Sequence, residues 1–271
     1  MFKTLEEAKE LRNKVLGFDP ENEKECLKAV KKDGENLQYV KDQTFEICLA
    51  AINESGGSWI LKYVKNQTPE ICLVAVKQNG SALKYVKDQT SEICLEAVKS
   101  DGLALEFVKD QTLEICLEAV KQNPWALKYV KDQTEKICLE AVKNDPWVLK
   151  SYVKKQTPEI CLEAVKLNPY LLEYVKDQTP EICLEAVKEN SLVLQFVKEQ
   201  TEEICLEAVK QNSYTIKYVK EQTEEICLEA IKQNPDTFRY VKDQTPEICK
   251  TVVKQCPHLI KYVKDLSMLV G

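Results

Sequence analysis

The chain has 271 residues, of which 44% are hydrophobic and 30% are charged, and its formal net charge is −6 at pH 7. This composition argues against disorder, and the negative charge gives no global attraction to nucleic acid or to anionic membranes. No apolar run approaches the roughly 20 residues that are needed to span a bilayer. We therefore expect a folded, cytoplasmic protein with no membrane contact.

Residues 1–21 alternate charged with apolar side chains and lack the hydrophobic core of a signal peptide. Leu5, Ala8, Leu11 and Val15 recur at the spacing of one helix face. We therefore predict that residues 1–21 form an N-terminal capping helix and that nothing in this segment directs export.

A unit of the form YVKDQTPEICLEAVKQNPWALK recurs from residue 22 onward, mostly at steps of 22 residues. A fixed period in the twenties indicates stacked structural units, each of which buries its apolar face against its neighbours. We predict that the repeats occupy residues 22–265 and that residues 266–271 form a C-terminal cap or tail. Two steps are longer, and we assign them to small loop insertions at Gly56-Gly57 and at Ser151. The cysteine column that marks the register is Cys26, Cys48, Cys72, Cys94, Cys116, Cys138, Cys161, Cys183, Cys205, Cys227 and Cys249.

Each unit is predicted to contain two short helices. In one repeat, Thr157 is an N-cap candidate, Pro158 suits the first helical position, and the apolar residues from Ile160 to Val165 form one stripe. Asn168-Pro169 then begins a second helix of about two turns, part of which could be a 3₁₀ turn. A leucine-rich repeat has a compatible period, but it requires an LxxLxLxxN strand that is missing from this sequence. We therefore predict an all-α solenoid of about eleven 22-residue, two-helix repeats with terminal caps.

The pairing of YVKxQT with EICLxAVK resembles the tandem helical repeats of a family that is defined only as a domain of unknown function. That family occurs in large DNA viruses, protists and some bacteria, and the resemblance covers nearly the whole chain after residue 22. It implies the helical-repeat fold and implies no particular activity.

Three nearly constant columns have structural explanations. Equivalent cysteines of stacked helices lie about 8–10 Å apart, whereas a disulfide needs Cα atoms within about 7 Å, so we predict free core thiols in a reducing compartment. The aromatic column from Tyr39 to Tyr262 is interpreted as core or half-buried packing, with a stacking platform as the alternative. The Gln-Thr column from Gln43 to Gln244 is expected to cap helices and to bridge the backbones of successive repeats.

A lysine follows the Tyr-Val or Phe-Val pair in each unit, from Lys41 to Lys264. Such a ladder could track the phosphates of a single-stranded nucleic acid, which is our alternative hypothesis for the function. Most of these lysines precede an aspartate or a glutamate, however, and they lie near a predicted helix C-terminus, where a cation is favoured anyway. Nucleic acid is therefore not the partner that we favour.

One column varies although its neighbours are nearly constant. It lies four residues before the aromatic column and ranges from Trp to Asp, which indicates a surface position, and the residue directly before the aromatic ring varies as well. Exposed aromatic residues are the usual anchors of interfaces, and neutral drift at an exposed site is the alternative. The candidate partner-binding residues are Trp59, Trp125, Trp147, Tyr170, Tyr214 and Asp236.

Nothing in the sequence indicates catalysis. The single histidine, His258, has Cys256 nearby but no third residue to complete a triad, and there is neither a glycine-rich phosphate loop nor a C-x-x-C zinc spacing. We expect no enzyme activity, no cofactor and no metal, with thiol-based metal or oxidant capture as a third hypothesis. The leading hypothesis is a monomeric, non-catalytic protein-protein interaction scaffold that presents an extended repeat surface to a protein or peptide.

Overall fold

The computed structural model describes residues 4–56 and 59–270. Regular structure in these residues consists of α-helices and 3₁₀ helices, and no β-strand occurs among them. Consecutive repeats pack helix against helix, so the chain is the all-α solenoid that its period predicts. It divides into two compact units, Met1–Ala141 and Val142–Gly271. No helix in the described ranges is both long enough and apolar enough to cross a bilayer.

Each repeat pairs one α-helix with one shorter helix, which in most repeats is a 3₁₀ helix. The α-helices are α1 (Leu5–Leu16), α2 (Glu23–Lys32), α3 (Phe45–Ser55), α4 (Pro69–Gln78), α5 (Ser91–Ser100), α6 (Leu113–Gln122), α7 (Glu135–Asn144), α8 (Val148–Ser151), α9 (Pro158–Leu167), α10 (Pro180–Glu189), α11 (Glu202–Gln211), α12 (Glu224–Gln233) and α13 (Pro246–Gln255). The 3₁₀ helices are η1 (Gly34–Tyr39), η2 (Ile60–Tyr63), η3 (Gly80–Tyr85), η4 (Gly102–Phe107), η5 (Pro124–Tyr129), η6 (Pro169–Tyr174), η7 (Ser191–Phe196), η8 (Ser213–Tyr218), η9 (Pro235–Tyr240), η10 (Pro257–Tyr262) and η11 (Leu266–Leu269).

The α-helices begin at the threonine caps that the sequence predicts. In α9 the hydroxyl of Thr157 accepts a hydrogen bond from the backbone N–H of Ile160 at 3.4 Å, and Pro158 occupies the first turn. Glu159 lies in the same turn, where its charge opposes the helix dipole. An equivalent threonine caps α3 to α7 and α10 to α13.

A single residue ends each typical α-helix and begins the 3₁₀ helix after it. The backbone N–H of Asn168 donates to the carbonyl of Ala164 at 2.9 Å, while its side-chain Oδ1 accepts from the N–H of Tyr170 at 3.1 Å. Because one residue has both roles, no linker separates α9 from η6. The other residues that have this double role are Asp33, Asn79, Asp101, Asn123, Asn190, Asn212 and Asn234.

The second element of a repeat is a 3₁₀ helix over its whole length in most repeats, rather than a helix of about two turns that is 3₁₀ only in part. In η6 the N–H of Val175 donates at 3.2 Å to the carbonyl of Leu172, three residues earlier. Six residues lie between the cap of Asn168 and the extended backbone at Val175. Hydrogen bonds between residues three positions apart form two tight turns in that length.

The two longer repeats accommodate their extra residues in different ways. The predicted loop insertion at Ser151 is wrong, because this residue lies inside helix α8. The N–H of Tyr152 donates to the carbonyl of Val148, four residues earlier, so the extra residue converts a 3₁₀ turn into an α turn. In the other long repeat, α3 ends at Gly56 in the left-handed conformation (φ +68°), which favours glycine, and Gly57 lies outside the described residues.

The core uses the same positions in each repeat. In the repeat of α9 and η6, the α-helix buries residues from Ile160 to Val165 along one stripe, and the 3₁₀ helix buries Leu171 and Leu172. The α9 helix contacts α10, and η6 contacts both η7 and α10. An isolated helix of ten residues is marginal in water, so burial of these side chains against the next repeat is what stabilises each helix.

The elements at the two ends of the repeats are less buried than the repeats themselves. Helix α1 begins at the cap of Thr4 and has no fully buried residue, and its Val15 is 77% exposed. Its apolar face and Tyr39 line an open groove of about 690 Å³. The short helix η11 also has no fully buried residue. The division into residues 1–21, 22–265 and 266–271 stays a prediction.

Candidate interaction surface

A glutamine in the segment between the two kinds of helix links each repeat to the next. The Nε2 group of Gln200 donates to the carbonyl of Leu194 in its own repeat (3.2 Å) and to the carbonyl of Tyr218 in the following repeat (3.0 Å). Its Oε1 accepts from the backbone N–H of Lys220 at 2.8 Å. The bridging role predicted for this column is thus confirmed. The glutamines that make both bonds to the following repeat are Gln43, Gln67, Gln89, Gln111, Gln156, Gln178, Gln200, Gln222 and Gln244.

The cysteine column lies directly behind this glutamine ladder. All eleven cysteines of the column are buried free thiols, as predicted, and Cys256 outside the column is half-buried. The Sγ of Cys205 donates to the Oε1 of Gln200 at 3.7 Å, so the thiol takes the amide's remaining acceptor site. Burial raises the pKa of Cys205 to about 11, which keeps the thiol protonated and weakly nucleophilic at neutral pH. This geometry gives the thiols a structural role and lends no support to oxidant capture.

The lysine ladder is bonded to the backbone of the chain itself. The Nζ of Lys242 donates to the carbonyl of Lys220 (3.0 Å) and to that of Val219 (2.7 Å), both in the preceding repeat. Residue type alone did not reveal this contact, because the acceptors are main-chain carbonyls. The lysines that bond to the backbone of the preceding repeat are Lys65, Lys87, Lys109, Lys131, Lys198, Lys220, Lys242 and Lys264.

The variable column places most of its aromatic residues in contact with solvent. The exposed fractions are 40% for Trp125, 44% for Trp147, 43% for Tyr170 and 36% for Tyr214. Asp236 is also exposed, whereas Trp59 is half-buried, and its ring packs edge-on against Tyr63 of its own repeat, with the centroids 6.3 Å apart. Five of the six candidate residues are therefore exposed, as the variability of the column predicts.

The exposed rings of the second unit are held in place by the following repeat. Tyr214 packs edge-on against Tyr240, with the ring centroids 6.3 Å apart and the ring planes at 75°. The hydroxyl oxygen of Tyr214 also accepts a hydrogen bond from the Nδ2 of Asn234 at 3.0 Å. Tyr170 has the same two contacts, with Phe196 and Asn190, and Trp147 packs against Tyr174 at 6.3 Å. Contacts with the following repeat therefore fix the positions of these exposed rings.

The constant aromatic column itself is half-buried, as one of the two interpretations of the sequence proposes, and its end members Tyr39 and Tyr262 are 49% and 40% exposed. Cations lie over many of these rings, a placement that electrostatic attraction to the ring face favours. The charged position varies along the sequence, but residue type alone does not assign it to this surface. The cations that lie within 6.0 Å of a ring centroid are Lys62, Lys84, Lys128, Lys150, Lys217, Arg239 and Lys261.

The described residues contain no cluster of three or more His, Cys, Asp and Glu side chains that is arranged to hold a metal ion. His258 is exposed in the 3₁₀ helix η10, and no shared site of this kind includes it. The 3₁₀ helices thus present exposed aromatic rings and cations.

Comparison with known proteins places these repeats in one family. No curated protein and no solved structure matches the chain. The model of a family described as "Domain of unknown function (DUF4116)" matches in overlapping segments, each of which covers about two repeats: residues 68–112, 90–134, 112–156, 134–179, 157–201, 179–223 and 201–245. Together these matches span more than half of the 271 residues, so the chain belongs to the DUF4116 family of tandem helical repeats.

Proposed function

We propose that the chain is a non-catalytic scaffold that binds a protein or peptide through the exposed aromatic residues of its short helices. The observation that carries this proposal is the combination of exposure and packing at Trp147, Tyr170 and Tyr214. These side chains are 36–44% exposed, and each packs against a ring of the following repeat. Aromatic residues supply much of the binding energy of interfaces, and side chains that are already ordered lose less entropy on binding.

The pattern of variation along the repeats also supports this proposal. The caps, the glutamine bridges and the buried thiols satisfy the fold's own backbone and core, and these columns hardly change. The column of Trp125 and Tyr214 changes from aromatic to Leu, Ser or Asp between repeats, although the backbone around it stays the same. Selection for a partner explains large aromatic residues at only some of these positions, and neutral drift is the alternative that the experiment below tests.

Binding of single-stranded nucleic acid along the lysine ladder has less support. The ammonium groups of lysines such as Lys220 and Lys242 already donate to main-chain carbonyls, and most lysines of the ladder are followed by an acid. Phosphate binding would have to compete with those bonds. Absence of binding to mixed-sequence oligonucleotides at low salt would exclude this alternative.

The test is affinity capture from a nuclease-treated lysate of the native cell, with a variant that carries Trp125→Ala, Trp147→Ala, Tyr170→Ala and Tyr214→Ala. We expect the variant to lose its bound protein while its circular dichroism and melting temperature stay close to those of the parent chain. The matched control is a variant with Phe45→Ala, Leu113→Ala and Leu167→Ala, which removes side chains that are 48–52% exposed on the α-helices. Equal capture by the parent chain and the aromatic variant would contradict the proposal.

A further inference from the structure

The last three full repeats of the second unit carry a cation at the same position of each 3₁₀ helix. These cations are Lys217 in η8, Arg239 in η9 and Lys261 in η10, and all three are exposed. Each lies over the face of the tyrosine that follows it, at 4.7, 5.2 and 5.1 Å from the ring centroid. Within the described residues, none of the three lies within 4.0 Å of a carboxylate oxygen.

Three consecutive cations at this position occur only in these repeats, although Lys62, Lys84 and Lys128 occupy it in the first unit. In the other repeats of the same unit the position holds Lys150, Glu173 and Gln195, so the charge does not accumulate there. The neighbouring variable column contributes Tyr214, Asp236 and His258 beside the three cations, and Asp236 is the single carboxylate of these two columns in η8 to η10. The surface is therefore positive and aromatic, although the whole chain has a net charge of −6.

The spacing of the repeats restricts the shape of a ligand that can meet all three cations. Helices packed side by side lie about 8–10 Å apart. A polyproline II helix rises about 3.1 Å per residue with three residues per turn, so every third side chain returns to the same face after about 9 Å. A β-strand alternates its side chains between two faces, so the side chains that share a face are only about 6.6 Å apart and do not match the spacing of the repeats.

We propose that Lys217, Arg239 and Lys261, with the tyrosine rings beneath them, bind an extended acidic peptide in the polyproline II conformation that carries a carboxylate at every third position. The carboxylates meet the ammonium and guanidinium groups, and the residues between them lie against the exposed edges of Tyr214 and Tyr262, which are 36% and 40% exposed. Polyproline II ligands generally dock on aromatic surfaces of this kind. The inference rests on the proposed function, because it names the chemistry of the partner for part of the same surface.

The experiment measures the fluorescence anisotropy of a labelled peptide made of four Glu-Pro-Pro units, titrated with the full chain at low ionic strength. The test variant carries Lys217→Gln, Arg239→Gln and Lys261→Gln, and we expect its affinity to be about tenfold lower than that of the parent chain. The matched control carries Lys210→Gln, Lys232→Gln and Lys254→Gln, which removes three exposed charges from the α-helices of the same three repeats. We expect the control to bind within about twofold of the parent chain.

A second peptide tests the spacing. It has the same composition, but its four glutamates are contiguous, and we expect it to bind several-fold more weakly at the same net charge. Four results would overturn the inference: no binding of the Glu-Pro-Pro peptide up to about 1 mM, equal losses in the two variants, equal affinities of the two peptides, or tighter binding of an oligothymidylate that is lost when Lys217, Arg239 and Lys261 are replaced. If the peptide fails while capture still depends on the aromatic residues, the inference alone is wrong. If capture does not depend on those residues, the proposed function is wrong.

Discussion

The thiol of Cys205 and the amide of Gln200 form one hydrogen-bonded unit, with 3.7 Å between Sγ and Oε1. The bond explains why a cysteine recurs at a core position where alanine is also small enough to pack. Sulfur is small and apolar enough for the contact between stacked helices, and its S–H group satisfies an acceptor site of the amide that backbone groups leave open. In the repeats from Cys72 to Cys249, the cysteine is therefore both a small core residue and a weak donor to the glutamine.

Replacement of the glutamine should destabilise the stack. Gln200→Ala removes two bonds to carbonyls and one from the N–H of Lys220. The carbonyl of Leu194 keeps its bond from the N–H of Val197, whereas the half-buried bond to the carbonyl of Tyr218 in the next repeat is lost. We expect the free energy of unfolding in urea to fall by about 2–3 kcal/mol. The control is Gln195→Ala, because Gln195 is exposed and its side chain donates to the carbonyl of Leu192 in its own 3₁₀ helix. Similar losses in the two variants would contradict the bridging role.

The buried thiols should make the protein less stable at high pH. Burial raises the pKa of Cys161, Cys183, Cys205 and Cys227 from 9.0 to about 11. The folded state therefore keeps protons that the unfolded state has already lost, so this contribution to stability is complete below pH 9 and is lost as the pH rises toward 11. We expect the free energy of unfolding to decrease over that range.

Because lysines and tyrosines also titrate at high pH, the thiol contribution must be isolated by comparison. A variant with Cys205→Ala and Cys227→Ala should lose stability less steeply between pH 9 and pH 11 than the parent chain, even though its stability at neutral pH is lower. At pH 8 a thiol reagent should react with the half-buried Cys256 well before it reacts with the buried column. Parallel pH profiles would show that the thiols do not cause the decrease.

A side chain at Gly102 should destabilise the stack. A Cβ atom at this position would lie 2.5 Å from the carbonyl oxygen of Ala119 and 2.8 Å from the Oε1 of Gln122, both in the next repeat. We expect Gly102→Ala to lower the free energy of unfolding by about 1–3 kcal/mol, because the neighbouring backbone must move. Ser213 occupies the equivalent position of η8, where a Cβ is already accommodated, so Ser213→Ala is the control and should change stability by less than about 0.5 kcal/mol. A neutral Gly102→Ala variant would show that the repeats can shift apart freely.

The lysine ladder should contribute to stability. Lys220→Met keeps much of the aliphatic stem but loses the bonds from Nζ to the carbonyls of Lys198 and Val197. We expect a loss of about 1 kcal/mol, which is modest because these groups are partly exposed. Lys210→Met on the exposed face of α11 is the control and should be nearly neutral. If both variants unfold like the parent chain, the ladder bonds do not stabilise the fold, and a ligand-binding role for these lysines gains weight.

The sequence predicts most of the fold because its strongest signals are local. Thr157 and Asn168 bond to backbone groups only two or three residues away, so residue type and position are enough to recognise their caps. The helix at Ser151 is not predictable in the same way, since one extra residue can form a loop or convert a 3₁₀ turn into an α turn. Packing between repeats decides that choice.

The candidate site is less predictable because its contacts join residues that are far apart in sequence. Trp59 and Trp147 occupy the same column, yet Trp59 packs on a ring of its own repeat and Trp147 on a ring of the next. The bond from the Nζ of Lys242 to the main-chain carbonyl of Lys220 cannot be predicted from the sequence either, because it joins two different repeats. Exposure and bonding at such positions follow from the three-dimensional stacking.

The shared cap at Asn168 explains why the repeat length is so uniform. A single residue ends one helix and starts the next, and no linker lies between them. Insertion or deletion of a residue beside Asn168 would therefore break either its bond to the carbonyl of Ala164 or its bond from the N–H of Tyr170. In the repeat that ends α3 at Gly56 this cap is replaced, and there the period becomes longer. Duplication of a unit copies the cap with it, so arrays of these repeats can gain or lose whole units in evolution while the length of the individual unit stays constant.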